Sequence, residues 1–171
     1  MEGELSPFED ETLYRILRKG FRLEHPSYIP IKDENLATRV NLRFHYPYEN
    51  QIFTHILQEN WRDLKDLFKQ VAHRRGKAGA AFSLKFQSSN DETVFLTGAL
   101  NETELASALD QVGHLTAIVG QILRAEPKEK PLVRVEVVYD RASDRWHNFK
   151  GMSSAGDRYV FDDSTFRWIR S

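Results

Sequence analysis

The spacing of apolar residues switches along the chain between a period of two and a period of three to four, and this change restricts the fold more than any other feature. From Arg39 to Tyr46 apolar and polar residues alternate strictly, which is typical of a strand with one buried face. From Ile52 to Val71 apolar residues recur three or four positions apart, which indicates an amphipathic helix. Such a succession favours helices packed against one face of a sheet.

Similar patterns follow along the rest of the chain. Strands are predicted at 80–87, 92–98, 132–139 and 145–149, with two shorter candidates at 159–161 and 166–169. Asn101 and Glu104 form a helix-capping signature before an apolar stripe, so a second long helix is predicted from there to about Arg124. Turn residues between the second and third strands, and again between the fourth and fifth, predict two antiparallel hairpins.

Taken in order, the segments from 37 to 140 give strand, helix, strand, strand, helix, strand. This order predicts an α+β fold resembling the ferredoxin-like βαββαβ plait, an antiparallel sheet with two helices on one face, although another α+β strand order is left open. A C-terminal hairpin should extend the sheet, which makes 37–171 the main domain. The predicted core consists of Val40, Leu42, Phe44, Phe82, Leu84 and Phe86 from the sheet, with Ile56, Trp61, Leu64, Phe68, Leu109 and Val112 from the helices.

Residues 1–36 are expected to pack on this domain as a helix and an extended segment. Ser6, Pro7 and Glu9 make a capping box with proline at the first helical position, and Gly20 supplies a stop. The following stretch contains Pro26 and Pro30 between isolated apolar residues, which predicts an extended crossing over the body of the protein.

Composition limits the classes of function. The chain has 24 Lys and Arg against 25 Asp and Glu, so any anion-binding surface must be local. It has no cysteine, which excludes thiolate nucleophiles, thiolate zinc sites and iron–sulfur clusters. The first residues do not form a secretory signal, and no apolar run reaches membrane-spanning length. We therefore expect a cytoplasmic protein that does not associate with a membrane.

Motifs for catalysis, metals and cofactors are missing. The 6 histidines do not have the spacing of a metal site, and neither a P-loop, a nucleophile elbow nor a dinucleotide-binding glycine motif is present. The sequence therefore predicts no metal and no cofactor, and it favours a binding protein over an enzyme.

The sheet face turned away from the helices is the main candidate for a binding surface. It should carry the basic or titratable residues Arg39, Arg43, His45, Lys85 and Arg134, with Phe95 as a platform on which a base could stack. A face of this kind would bind single-stranded nucleic acid or an acidic partner. An ordinary solvated face, or one covered by residues 21–35, is the alternative interpretation.

Two smaller features each leave two interpretations open. Arg74, Arg75 and Lys77 at the end of the first long helix either complement the helix dipole or contact a phosphate. A stripe of small residues on the second long helix meets either a neighbouring helix or a second copy of the chain. The stripe consists of Ala106, Gly113, Ala117 and Gly120.

These observations lead to three hypotheses. The first is an intracellular binding module that engages single-stranded nucleic acid or an acidic partner through the basic sheet face. The second is a small-molecule enzyme or sensor with a pocket between sheet and helices, where Arg43, His45 or His147 would be polar groups. The third is a structural protein that associates with itself, as a possible homodimer, through the small-residue helix face or an edge strand.

Overall fold

A seven-stranded mixed sheet is the centre of the computed structural model, which describes residues 5–23, 38–125 and 130–171. Each strand pairs with its neighbour in the sequence, so the order across the sheet is β1 to β7. The strands are β1 (Thr38–Phe44), β2 (Ala80–Gln87), β3 (Glu92–Leu96), β4 (Leu132–Asp140), β5 (Arg145–Ser153), β6 (Arg158–Asp162) and β7 (Arg167–Arg170).

The helices within the described residues lie between these strands, apart from the first. The α-helices are α1 (Pro7–Leu17), α2 (Glu59–Arg75), α3 (Glu102–His114) and α4 (Thr116–Arg124). A π-helix, Ile52–Leu57, precedes α2, and a short 3-10 turn, Gly76–Ala78, follows it. Both predicted capping boxes are confirmed, because the side chains of Ser6 and Asn101 accept from the third helical amide while Glu9 and Glu104 accept from the capping residue.

The prediction of a ferredoxin-like plait was wrong. In that plait each β-α-β unit leaves room between its parallel strands for a strand of the other unit. Here β1 pairs directly with β2 in parallel across α2, and β3 pairs directly with β4 in parallel across α3 and α4. The sheet is therefore mixed, and its order follows the sequence.

The antiparallel connections agree with the predicted hairpins. β2 pairs with β3, and β4 pairs with β5, which extends the sheet as expected. β6 and β7 add two more antiparallel strands at the C-terminal end. The strands β5, β6 and β7 thus form a meander beside the two β-α-β units.

The four α-helices of the described residues all contribute to a core on one face of the sheet. Most of the predicted core is confirmed as buried, including Trp61, Phe68, Phe82 and Leu109, while Leu42 and Ile56 are partly buried against it. The meander is attached to the helices by two tryptophans. Trp146 Nε1 donates to the Ala108 carbonyl of α3 at 2.9 Å, and Trp168 Nε1 donates to the Ile122 carbonyl of α4 at 2.8 Å.

Both long helices differ from prediction by a break. The first is interrupted at Gln58, whose φ of 41° and ψ of −121° separate the π-helix from α2. The second ends at His114 and restarts at Thr116 as α4, so the stripe of small residues does not lie on one continuous helix. A Cβ on Gly113 would lie 3.3 Å from Trp61 Nε1, which agrees with the interpretation of a neighbouring helix at that position.

The helix predicted for the first residues is present as α1. It is tied to the end of α2 by an ion pair between Glu9 and Arg74. The predicted extended crossing around Pro26 and Pro30 lies outside the described residues. Among the helices that are described, none has the length and apolar character needed to cross a bilayer.

Candidate binding surface

Along each strand, residues that point toward the helices alternate with residues that point to the opposite face of the sheet. We call this opposite face the open face. On β1, for example, Arg39, Asn41 and Arg43 are exposed while Val40 and Phe44 are buried. The register carries this face across all seven strands. Its cations are Arg39, Arg43, Lys85, Arg134, Arg145, Lys150, Arg158 and Arg167, and its acids are Glu92, Glu136, Asp140 and Asp162.

The structure brings the predicted cations Lys85 and Arg134 together, but with acids between them. Lys85 Nζ contacts Glu92 Oε2, and Arg134 Nη1 lies 2.6 Å from Glu92 Oε1. Arg134 Nη2 also lies 3.1 Å from Glu136 Oε2. This charge ladder of Lys85, Glu92, Arg134 and Glu136 crosses β2, β3 and β4, and it neutralises most of the positive charge there.

The other predicted residues of this surface divide into two groups. Arg39 and Arg43 are exposed on β1, and His45 is exposed just after the strand ends. Phe95 is not on the open face, which contradicts its predicted role as a stacking platform. It lies opposite Leu84 and both are fully buried among the core residues.

The register of β3 explains the position of Phe95. The run from Val94 to Leu96 is apolar on both faces, so alternation alone does not decide which residues face the helices. The large ring packs in the core, where it contacts Tyr48 and Trp146. Val94 takes the open face instead and is buried between Lys85 and Glu136, its partners in the register.

Two arginines of the basic cluster at the end of α2 contact other parts of the fold. Arg74 donates from Nε and Nη2 to the two carboxylate oxygens of Glu9, at 2.9 and 2.7 Å, and Arg75 Nε donates to Thr38 of β1. Burial alone would raise the pKa of Glu9, but the hydrogen bonds from Arg74 and Ser6 outweigh it and lower that pKa. Arg74 and Arg75 therefore bind other parts of the fold, which neither interpretation of the cluster predicted, and Lys77 is exposed beyond them.

A second part of the open face, across β5, β6 and β7, combines aliphatic and basic side chains. Met152, Val160 and Ile169 are exposed by 37%, 41% and 55%. We call this surface the basic apolar patch, and it consists of Lys150, Met152, Arg158, Val160, Arg167 and Ile169. Its residues come from three strands that pair in register, so they lie side by side.

The cations of the patch differ from those of the charge ladder in their contacts. Within the described part of the chain, Lys150, Arg158 and Arg167 make no ion pair. Asp162 lies opposite Arg167, but its carboxylate accepts from Ser164 and Thr165. Hydrogen bonds from these two hydroxyl residues lower the pKa of Asp162 to about 2, so it is an occupied acceptor.

The patch was missed by the sequence analysis, because Met152, Val160 and Ile169 are apolar and the sequence does not show that they point outward. In the structure, residues 149–153 and 158–162 both alternate between buried and exposed positions. The alternation identifies which residues point outward on each strand. Only the pairing between strands places Lys150, Val160 and Ile169 in one row.

The structure gives little support to a pocket between sheet and helices. Phe82, Leu84 and Phe86 fill that space and are almost fully buried. Two shallow depressions, of about 460 and 520 Å³, lie elsewhere: one between α1 and α2, the other beside the π-helix. Neither is lined by Arg43, His45 or His147.

A serine, a histidine and an aspartate do meet at the β4–β5 turn, but not in a catalytic arrangement. Ser143 Oγ donates to Asp140 Oδ2 at 2.6 Å, and His147 Nε2 lies 3.1 Å from the same oxygen. A nucleophile needs the histidine, not the aspartate, as its proton acceptor. The hydrogen bonds from Ser143, His147 and Ala142 lower the pKa of Asp140 to about 2, which fits an acceptor that organises the turn.

Two further findings bear on the function. The described residues contain no group of histidine and acidic side chains arranged to hold a metal ion. Comparison of the chain with protein-family models, curated proteins and solved structures gave no significant match.

Proposed function

We propose that the protein is a binding module that engages an acidic protein partner through the open face of its sheet. The observation that carries the proposal is the charge of this face. Its cations outnumber its acids two to one, whereas the whole chain has 24 basic against 25 acidic residues. A surface with this excess attracts an anionic partner and orients its approach.

The chemistry of the face favours a protein over single-stranded nucleic acid. Binding of single strands relies on aromatic side chains on which bases stack, each worth about 1 to 3 kcal/mol. In the described strands the open face carries no phenylalanine, tyrosine or tryptophan, since Phe95 lies in the core. It carries exposed aliphatic side chains, which suit a protein interface. The cytoplasmic location and the self-association expected from the sequence are also proposals only.

Selection from two random libraries tests this function. Displayed peptides of about twelve residues and single-stranded DNA would be selected on the immobilised protein, and then tested on Lys150→Glu and Arg158→Glu. Peptides rich in Asp and Glu should be enriched, and each reversal should weaken their binding about tenfold, which is about 1.4 kcal/mol.

Arg62→Glu is the matched control. Arg62 is exposed on α2, on the opposite side of the sheet, and its nearest acid, Asp63, lies 3.8 Å away. It should leave peptide binding unchanged. Equal effects of all three reversals would contradict a role for the open face, and enrichment of DNA with loss on the Lys150 and Arg158 variants would identify nucleic acid as the partner.

A further inference from the structure

We infer that the basic apolar patch is the part of the open face that the partner contacts, and that the partner presents adjacent aliphatic side chains flanked by carboxylates. This inference rests on the proposed function, because it names where the acidic partner binds and what it carries. It goes further than net charge, since it makes the aliphatic side chains of the patch part of the recognition.

Val160 lies at the centre of the patch. Lys150 on one side and Ile169 on the other share its cross-strand row, with side chains about 5 Å apart. Arg158 lies two residues along the same strand, about 7 Å away. A partner that covers Val160 and Ile169 therefore brings its flanking groups within reach of two cations.

Within the described residues, the cations of the patch make no ion pair and its aliphatic side chains are not covered. The aliphatic side chains stay in contact with water, and their burial is the main favourable contribution that such a surface can make to association. Lys150 lies opposite Glu136 in the register, but the Glu136 carboxylate is bound by Arg134. Carboxylates on a partner would complement the patch cations and exclude partners of the wrong charge.

A second copy of the chain does not fit this surface. A symmetric contact would place Lys150, Arg158 and Arg167 of both copies in one interface, and the neighbouring Asp162 is already bound within its own turn. An anionic membrane fits less well than a protein. The aliphatic side chains stand on a flat sheet, and the patch has no aromatic residue of the kind that anchors a protein at a lipid interface.

Two synthetic peptides of about twelve residues, each carrying a fluorescent label, test the inference by anisotropy. Both contain the same number of glutamates, alternating with valine and leucine in one and with serine in the other. The aliphatic peptide should bind the wild-type chain about tenfold more tightly than the serine peptide. Val160→Thr and Ile169→Thr should remove that difference while the serine peptide binds as before.

Ile118→Thr is the matched control, because Ile118 is an isoleucine of similar exposure, 47%, on α4. It should leave the preference for the aliphatic peptide intact. Equal binding of the two peptides at any strength, or the same effect from Ile118→Thr, would overturn the inference. The proposed function is judged separately by the charge reversals. The inference would also be overturned, in favour of a lipid surface, if the protein co-sedimented with phosphatidylserine vesicles and Ile169→Thr abolished that co-sedimentation.

Discussion

The open face differs between β2–β4 and β5–β7. In the charge ladder each cation meets a carboxylate of a neighbouring strand, and the aliphatic Val94 between them is buried. In the basic apolar patch the cations make no ion pair with a described residue, and the aliphatic side chains are exposed. Charges that satisfy one another stabilise a sheet, whereas charges beside exposed aliphatic groups are available to a partner. Positive charge on a strand is thus a poor guide to binding until its neighbours are known.

The two regions also differ on the buried side. The β-α-β units are covered by the helices that connect their strands, so sequence-local packing stabilises them. The meander has no helix of its own and depends on Trp146 and Trp168, which reach α3 and α4. The attachment of the meander to the helices therefore includes two contacts between residues that are distant in the sequence.

The largest expected effect comes from removing one of these contacts. Trp168→Ala should lower the free energy of unfolding by about 3 to 5 kcal/mol, because a large buried side chain is lost. Trp168→Phe should cost less, about 1 to 3 kcal/mol, since it mainly leaves the Ile122 carbonyl without its donor. Denaturant unfolding measures both. Phe166→Ala, at an exposed residue next to β7, is the control and should have a small effect on the free energy of unfolding. If Trp168→Ala had an equally small effect, the meander would not depend on this anchor.

Breaking the ion pair between α1 and α2 should have a smaller effect on the free energy of unfolding. This prediction tests what a paired cation contributes to stability. Arg74→Ala should cost about 1.5 to 3 kcal/mol, because Glu9 is buried and loses its charged donor. The half-exposed arginine keeps the loss below that of a fully buried pair. Arg62→Ala, at an exposed arginine of α2, should change stability by less than about 0.5 kcal/mol.

The effect of Arg74→Ala on the free energy of unfolding should depend on pH, and its sign follows from the pKa of Glu9. The pKa of Glu9 in the folded protein lies below its ordinary value of 4.5, so the pair stabilises the fold fully above that value. The contribution is lost as the pH falls through the lowered pKa. The free energies of unfolding of wild type and Arg74→Ala, measured in urea, should therefore differ most near pH 7 and converge as the pH falls below 4.5. A difference independent of pH would mean that Arg74 stabilises by packing alone.

What could be predicted from the sequence was local. The alternation of β1, the stripe of α2 and the capping boxes at Ser6 and Asn101 each depend on residues within a few positions, and all are present in the structure. The strand order could not be obtained in this way. A crossover helix leaves the next parallel strand free to pair directly or to leave a gap, and no local pattern decides between the two.

The prediction of the candidate site failed for the same reason, because it depended on contacts between residues that are distant in the sequence. Lys85 and Arg134 are basic in the sequence, but their shared partner Glu92 is 7 residues from the first and 42 from the second, and only the register brings the three together. Arg74 is likewise neutralised by Glu9, 65 residues earlier. Pairing across such distances decides which cations remain for a partner, and a single sequence contains no direct record of it.

The smallest expected effect tests whether pairing makes the two regions of the open face different. Glu92→Gln removes the acid shared by Lys85 and Arg134, so the ladder should come to resemble the patch. Stability should fall by no more than about 1 kcal/mol, because the pairs are partly exposed. Binding of the acidic aliphatic peptide at low salt should become a few-fold tighter, by about 0.5 to 1 kcal/mol, and more sensitive to salt, because Lys85 loses its partner and Arg134, close to the patch, keeps only Glu136. Glu102→Gln changes the net charge equally but lies on α3, where its partner is His73, and should have little effect on the peptide. If both variants tightened binding equally, net charge would account for the result, and the pairing of Glu92 would not distinguish the two regions.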